Sequence, residues 1–289
     1  MLLGLIPFDA PQGLSEREDA LWRVERAVAL GLDVIQVPLL SRDDSYGQYY
    51  RDIAGEHGIE LETAMGPDFV SKAPLSASEL APFVVTIRLA QHMGLRLLRI
   101  AGAYTTCGRF FPPAVDIQLA NYVANLRELA PYAEDAGVLL AIENHCDFRG
   151  DEIARIIEQV ESPMVYAALD TANGFITYND PMDDAVALAP YAVTTHFKDM
   201  RVDTSGNHPP WPVYGSLLGQ GHVDLDTTIH LLATQSPDPA RLRLLLEWWG
   251  LPPGQEMTFE EWFTLGLAYV RERFAEHLPT QPRPVPDTI

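Results

Sequence analysis

Short apolar runs alternate along the chain with longer stretches in which apolar residues return every three or four positions. The runs fall at 2–8 (LLGLIPF), 33–39 (DVIQVPL), 59–65 (IELETAM) and 96–102 (RLLRIAG). They recur at 138–145 (VLLAIENH), 165–170 (VYAALD), 192–198 (AVTTHFK) and 242–248 (LRLLLEW). Most are almost continuously apolar, as parallel strands are when helices cover them. The intervening stretches read as helices. "SEREDALWRVERAVALG" opens with a capping box, Ser15 to Glu18, and closes at Gly31. "SASELAPFVVTIRLAQHMG" repeats the device with Ser76 and Glu79, closing at Gly94. Further helical patterns cover 46–57, 115–136, 150–161, 182–189, 224–235 and 258–277.

Eight strand-then-helix units without a break in composition predict a single closed (β/α)8 TIM barrel over residues 1–278. An open doubly wound sheet would carry a glycine-rich turn after its first strand, and "IPFDAPQGLSE" has no GxGxxG. The longest interval between strands, 200–241, follows the seventh and is read as a lid-like insertion. Residues 279–289 form a proline-rich C-terminal tail.

Composition narrows the function classes. With 47% hydrophobic residues a large core is expected, and no apolar run is long enough to span a bilayer. The N-terminus has neither a basic segment nor a signal-length apolar one, so it is read as the first strand. Two cysteines, Cys107 and Cys146, fit reduced packing thiols in a cytoplasmic enzyme. A net charge of −20 repels phosphate polyanions, which disfavours nucleic acid and leaves a small molecule as the expected partner. Nothing in the sequence decides between a monomer and a homo-oligomer.

Polar residues ending apolar strands mark the chemistry, because barrel active sites sit at the C-terminal strand ends. In the fifth run Ala141, Glu143 and His145 share the inward face. The sixth ends in Asp170, the seventh in His196 and Lys198, the eighth in Glu247. In a closed barrel Glu143, Asp170, His196 and Glu247 converge. Two Glu, one Asp and one His form an oxygen-rich set suited to Mn²⁺, Mg²⁺ or Co²⁺, with Zn²⁺ also admissible. Three carboxylates buried together without a cation would be prohibitively costly.

The motifs "AIENH", "ALDTANGF", "THFKDM", "LLGQGHVDLDTTI" and "LLLEWWG" resemble the sugar phosphate isomerase/epimerase group of xylose isomerase-like TIM barrels. That group includes ketose 3-epimerases, hydroxypyruvate isomerase, inosose isomerase and dehydratase, and 3-dehydroshikimate dehydratase. The resemblance implies that Glu143, Asp170, His196 and Glu247 bind one divalent metal, with Glu143 and Glu247 also serving as the acid/base pair. It further implies isomerisation or epimerisation of a small keto-sugar, keto-inositol or hydroxy-keto acid through a metal-stabilised enediolate.

The sequence also departs from the epimerase pattern. Asn173 stands where ketose 3-epimerases usually carry histidine, and Arg201 is the candidate for their substrate-binding arginine. Lys198 belongs to the H-x-K-D pattern of other branches. Lys198 and His145 together give weight to the alternative, a lyase (decarboxylase or dehydratase) acting on a keto-sugar acid. Lys198 also has a plain structural reading, an ion pair with Asp199 or with a strand-end acid. Gln36, Glu62 and Arg99 interrupt strands on the inward face and need partners, with Arg99 and Glu62 expected to pair with each other or to touch substrate. Trp249, Trp211, Tyr104 and His222, the last within "GQGHVD", are further substrate-contact candidates, whereas Trp248 faces the helices by parity. A DNA-repair endonuclease shares the barrel but needs a histidine-rich zinc cluster and a basic track. A non-catalytic sugar-binding barrel would not need both glutamates. No phosphate cradle is evident, so a neutral sugar or monocarboxylate is the expected substrate.

Overall fold

The structure, a computed structural model, describes residues 1–6, 10–37, 44–65, 73–101, 108–206 and 208–279. Tyr104, Cys107 and the tail beyond residue 279 lie outside this set. The barrel strands are β1 (Leu2–Leu5), β2 (Val34–Gln36), β3 (Glu60–Ala64), β4 (Leu97–Ile100), β5 (Leu139–Glu143), β6 (Val165–Asp170) and β7 (Ala192–Phe197). An antiparallel hairpin of β8 (Asp199–Val202) and β9 (Val213–Ser216) follows, and β10 (Arg243–Leu246) completes the barrel. Strand order is β1-β10-β7-β6-β5-β4-β3-β2, closed and parallel throughout. The helices are α1 (Glu16–Ala29), α2 (Asp44–Glu56), α3 (Ala77–His92), α4 (Val115–Ala136), α5 (Gly150–Val160), α6 (Pro181–Leu188), α7 (Leu225–Gln235) and α8 (Phe259–Arg273). Among the described residues no helix is long and apolar enough to cross a membrane.

Local chemistry explains where these elements begin and end. Ser15 and Glu18 exchange the two bonds of a capping box at the start of α1, and Thr258 and Glu261 do the same for α8. Gly137 ends α4 in the left-handed conformation, φ 66°, which a side-chain-bearing residue adopts reluctantly. In β1 glycine is required for a different reason, since a Cβ at Gly4 would come within 2.3 Å of the Val34 carbonyl oxygen across the barrel wall.

One large apolar cluster fills the space between strands and helices. Inside the barrel the apolar filling is small: Leu2, Val34 and Leu245 in one group, Leu97, Ala141 and Ala168 in another. The remaining interior is polar. Glu62, fully buried, accepts from Arg243 Nη1 (3.1 Å), Thr194 Oγ1 (2.8 Å) and Gln36 Nε2 (3.1 Å). Arg99 instead takes Glu143. The expected Arg99–Glu62 pair is thus replaced, because the barrel brings Arg243 of β10 to Glu62 and leaves Arg99 near the C-terminal end.

The strands stop earlier than the apolar pattern predicts. His145 lies two residues past β5, and Lys198 and Glu247 each lie one residue past their strands. Glu247 keeps one backbone bond, its N–H donating to the Phe197 carbonyl (3.1 Å), whereas at Lys198 a side chain takes over. Thr171 Oγ1 donates to the Lys198 carbonyl (2.6 Å) and accepts from its N–H (3.0 Å). The interval 200–241 contains most of the hairpin, a turn and α7. The Asp199 carboxylate holds the turn by accepting from the N–H groups of Gly219, Gly221 and Val223 at 3.0, 2.8 and 3.2 Å.

Candidate functional site

Adjacent strands β5, β6 and β7 carry Glu143, Asp170 and His196 to one point at the C-terminal mouth. Asp170 sits opposite His196 in the β6–β7 ladder. One ligand atom from each of the three residues lies within 4.8 Å of the others, and all three residues are buried. Glu143 Oε1 faces His196 Nδ1 at 3.0 Å, and Glu247 Oε1 stands 3.5 Å from the same nitrogen. Glu247 lies outside the tight triad; its Oε2 is held by the ammonium of Lys198.

Asp170 and His196 are oriented by groups behind them. Asp170 Oδ1 accepts from the N–H groups of Ala172 and Asn173, both at 2.9 Å, leaving Oδ2 directed inward. Asn144 clamps the Asp170 backbone from both sides: its Oδ1 accepts from Asp170 N–H (2.7 Å) and its Nδ2 donates to the Asp170 carbonyl (3.0 Å). Asn144 in turn donates to buried Asp184 (3.2 Å). The Gln36 amide nitrogen lies 3.2 Å from His196 Nε2 and continues to Glu62. A polar ladder, Arg243–Glu62–Gln36–His196, therefore runs up the barrel interior to the site.

The residues present fit a divalent cation. Glu143 Oε1, Asp170 Oδ2 and His196 Nδ1 are buried atoms with no aligned hydrogen bond, although each has a charged neighbour. Such atoms are costly unless a ligand completes them, and two carboxylate oxygens with an imidazole nitrogen suit a hard divalent ion. The expectation that three carboxylates demand an added cation needs correction, however. Arg99 and Lys198 already supply two positive charges, Arg99 to Glu143 and Lys198 to Asp170 and Glu247.

The electrostatics follow from this packing. Burial, reinforced by Glu247 and Glu143, pushes the Asp170 carboxyl up to about 7 against the pull of Lys198. Burial also works against the ionised form of Glu143, but Arg99 and His196 outweigh it and hold this group well below the usual carboxylate range. Glu247 is likewise lowered: burial opposes ionisation, and Lys198 and His196 overcome it. Burial lowers His145 from its ordinary value, with Glu143 partly offsetting the effect.

Of the other sequence candidates, Asn173 is 2% exposed and both polar atoms of its side chain lack a hydrogen bond, as in a group positioned for a ligand. Trp249 is tied to the site through its ring, 4.7 Å from Lys198 Nζ. His145 is buried beside the cluster, whose charges it feels. The plain reading of Lys198 holds only for the strand-end acids, since Asp199 is turned to the 219–223 turn. Arg201 is exposed on the hairpin, and His222 is exposed with its Nδ1 accepting from Val202 N–H (3.2 Å); neither joins the cluster. Glu62 is sealed in the interior by its three partners. Trp211 is 44% exposed, and Trp248 packs edge-on against Trp262 on the helix side, as its parity predicts. Cys146 is half-buried, its thiol pushed up to about 12 by burial. Asn144 and Arg243 escape a reading of strand ends; the only trace in the sequence is a polar residue set in an apolar run.

The family model for the xylose isomerase-like TIM barrel matches residues 15–262. The chain belongs to the xylose isomerase-like TIM barrel family. No curated protein matches the sequence. Among solved structures, D-psicose 3-epimerase from Clostridium cellulolyticum H10 with D-tagatose is 15% identical, covering 96% of this chain and 100% of that one at a TM-score of 0.69. The 3-keto-D-glucoside 4-epimerase of E. coli is 14% identical over 94% and 99%, TM-score 0.70. A xylose isomerase-like TIM barrel protein from Mycobacterium smegmatis in complex with magnesium is 18% identical over 93% and 89%, TM-score 0.61. At these identities the likeness is one of fold, and it is the family model that places this chain among the xylose isomerase-like barrels.

Proposed function

We propose that this xylose isomerase-like barrel is a divalent-metal-dependent isomerase or epimerase of a small keto-sugar, keto-inositol or hydroxy-keto acid. The observation that carries the reading is the buried triad of Glu143, Asp170 and His196, with one donor atom from each within 4.8 Å of the others. Structural neighbours whose names state sugar epimerisation support it. Glu143, Asp170 and His196 would hold the ion, with Glu247 at its edge. When bound, a divalent ion supplies Lewis-acid polarisation of a carbonyl and its neighbouring hydroxyl, which acidifies the C–H bond between them.

The chain's own groups complete the chemistry. Glu247, the more exposed glutamate at 19% of its side chain, takes or returns the proton on carbon. Glu143, fixed by Arg99 and lowered in pKa, serves first as ligand and second as the opposing acid/base group. Lys198 neutralises charge between Asp170 and Glu247 and holds the Trp249 ring against the mouth. Asn173, with a donor and an acceptor both unfilled, orients a substrate hydroxyl or carbonyl.

Incubation of the protein with a panel of ketoses, keto-inositols and hydroxy-keto acids in D2O with Mn²⁺ tests the reading. Deuterium entering at carbon alpha to the carbonyl, followed by NMR and stopped by chelation, is the expected result. Loss of water or CO2 instead would establish the lyase alternative, which none of the relatives named above represents. No exchange with any member of the panel would overturn the proposal.

A further inference from the structure

A second cavity, about 260 Å³, opens at the opposite, N-terminal mouth of the barrel. Its polar wall is formed by Glu60, Arg96, Asp238, Arg241 and Arg243, the starts of β3, β4 and β10 and the turn before β10. Leu97, Leu139, Val193 and Leu242 form the apolar wall. Three of only twenty basic residues in a chain of net charge −20 thus meet in one small space.

The charges here do not cancel. Glu60 is shared, its Oε1 accepting from Arg241 Nη2 (2.8 Å) and its Oε2 from Arg243 Nη2 (3.1 Å). Asp238 Oδ1 accepts from the backbone N–H of Arg241 (3.2 Å) and so closes its own turn. The half-buried Arg96 side chain makes no hydrogen bond or ion pair among the described residues. Three guanidinium groups less two carboxylates leave one positive charge on the lining, and Arg96 is the group without a partner. A guanidinium partly withdrawn from water beside an apolar wall matches a carboxylate that carries a hydrocarbon body.

We propose that this cavity binds a small aliphatic carboxylate, its head on Arg96 and its body against Leu97, Leu139, Val193 and Leu242. A monoanion balances the lining, whereas a phosphate dianion would meet Glu60 and Asp238 uncompensated. The site is separate from the catalytic mouth, which lies at the other end of the same strands, and it stands whether or not the proposed reaction does.

Titration of the full chain with butyrate at low ionic strength, read by calorimetry or ligand-observed NMR, tests the site. Saturable binding is expected, weakened by roughly tenfold or more in Arg96→Gln, which removes the charge-assisted pair. The same loss is expected in Val193→Asp, which sets a negative charge in the apolar wall, and Glu143→Gln should bind butyrate as wild type does. If circular dichroism shows Arg96→Gln unfolded, Val193→Asp decides alone. Absence of saturation, equal affinity in the cavity variants, loss of binding in Glu143→Gln, or binding of inorganic phosphate but not butyrate would each overturn the proposal.

Discussion

Lys198 Nζ lies 2.6 Å from Asp170 Oδ2, so the carboxylate ending β6 has a protein-borne cation beside it. The same ammonium reaches Glu247 Oε2. Burial works against the charged lysine, but Asp170 and Glu247 more than offset it and keep Lys198 protonated. Lys198→Met would leave two buried carboxylates without this partner, at a cost of about 3–5 kcal/mol in metal-free protein. Thermal unfolding with and without Mn²⁺ checks this. The variant should melt lower without metal and gain more from Mn²⁺ than wild type; an equal gain would mean that lysine and metal do not serve the same carboxylates.

Acidity should govern metal loading. The Asp170 carboxyl is raised from 3.8 to about 7 in the metal-free fold. Between those values the folded protein holds a proton that the unfolded chain has lost. This group therefore favours the metal-free fold at low pH, and that contribution fades as pH rises toward about 7. A metal must displace the same proton, so affinity should fall by up to about tenfold per pH unit below about 7 and level off above it. Mn²⁺ titrations between acidic and mildly alkaline pH would show the slope, and a flat profile would contradict it.

The two glutamates should separate in a double assay. Glu143→Gln removes a member of the triad and should weaken metal binding by more than about 100-fold, a larger effect than losing an outer partner. Glu247→Gln should retain most metal affinity, because Glu247 stands outside the tight triad, yet lose about 10²–10⁴-fold in deuterium exchange. Unchanged exchange in Glu247→Gln would remove it from the acid/base role.

Asn144 acts on the site through Asp170. Asn144→Leu leaves the Asp170 N–H and carbonyl and the Asp184 carboxylate short of partners in a buried place. About 1–3 kcal/mol of stability should be lost for each group left unsatisfied, together with about 10–100-fold in metal affinity. Denaturant unfolding and calorimetric metal titration measure the two separately.

The hairpin is seated on the residues after β10 through one glycine. A Cβ at Gly215 would lie 2.2 Å from the Trp249 carbonyl oxygen, a backbone atom with little room to yield. Gly215→Ala should cost about 1–3 kcal/mol, the usual cost of overpacking. It should also shift tryptophan fluorescence as Trp249 moves from Lys198. Wild-type stability and spectrum would show that the hairpin is not anchored there.

Much of the architecture could be read from pattern alone. The capping boxes at Ser15 and Ser76 and the glycines at helix ends are local devices, so their positions survive without tertiary information. Strand lengths were less legible. His145, Lys198 and Glu247 continue apolar runs in sequence but lie past the strand ends in space; at Lys198 the Thr171 hydroxyl captures both backbone groups, while Glu247 keeps a single backbone bond to Phe197. Arg201 is a candidate by the resemblance and His222 by its place in the turn "GQGHVD", yet both are exposed, Arg201 on the antiparallel hairpin and His222 in the turn that follows it.

By itself the sequence determined the barrel and the places where polar groups end its strands, because period, capping and parity depend on near neighbours. Partner choice was decided only by the tertiary structure. Arg99 turns to Glu143 while Arg243 takes Glu62, and Lys198 bridges Asp170 and Glu247. A long cationic side chain can reach several carboxylates, and which one it meets depends on the register of strands far apart in the chain. Parity tells which face a residue occupies. Closure of the barrel sets what stands opposite it.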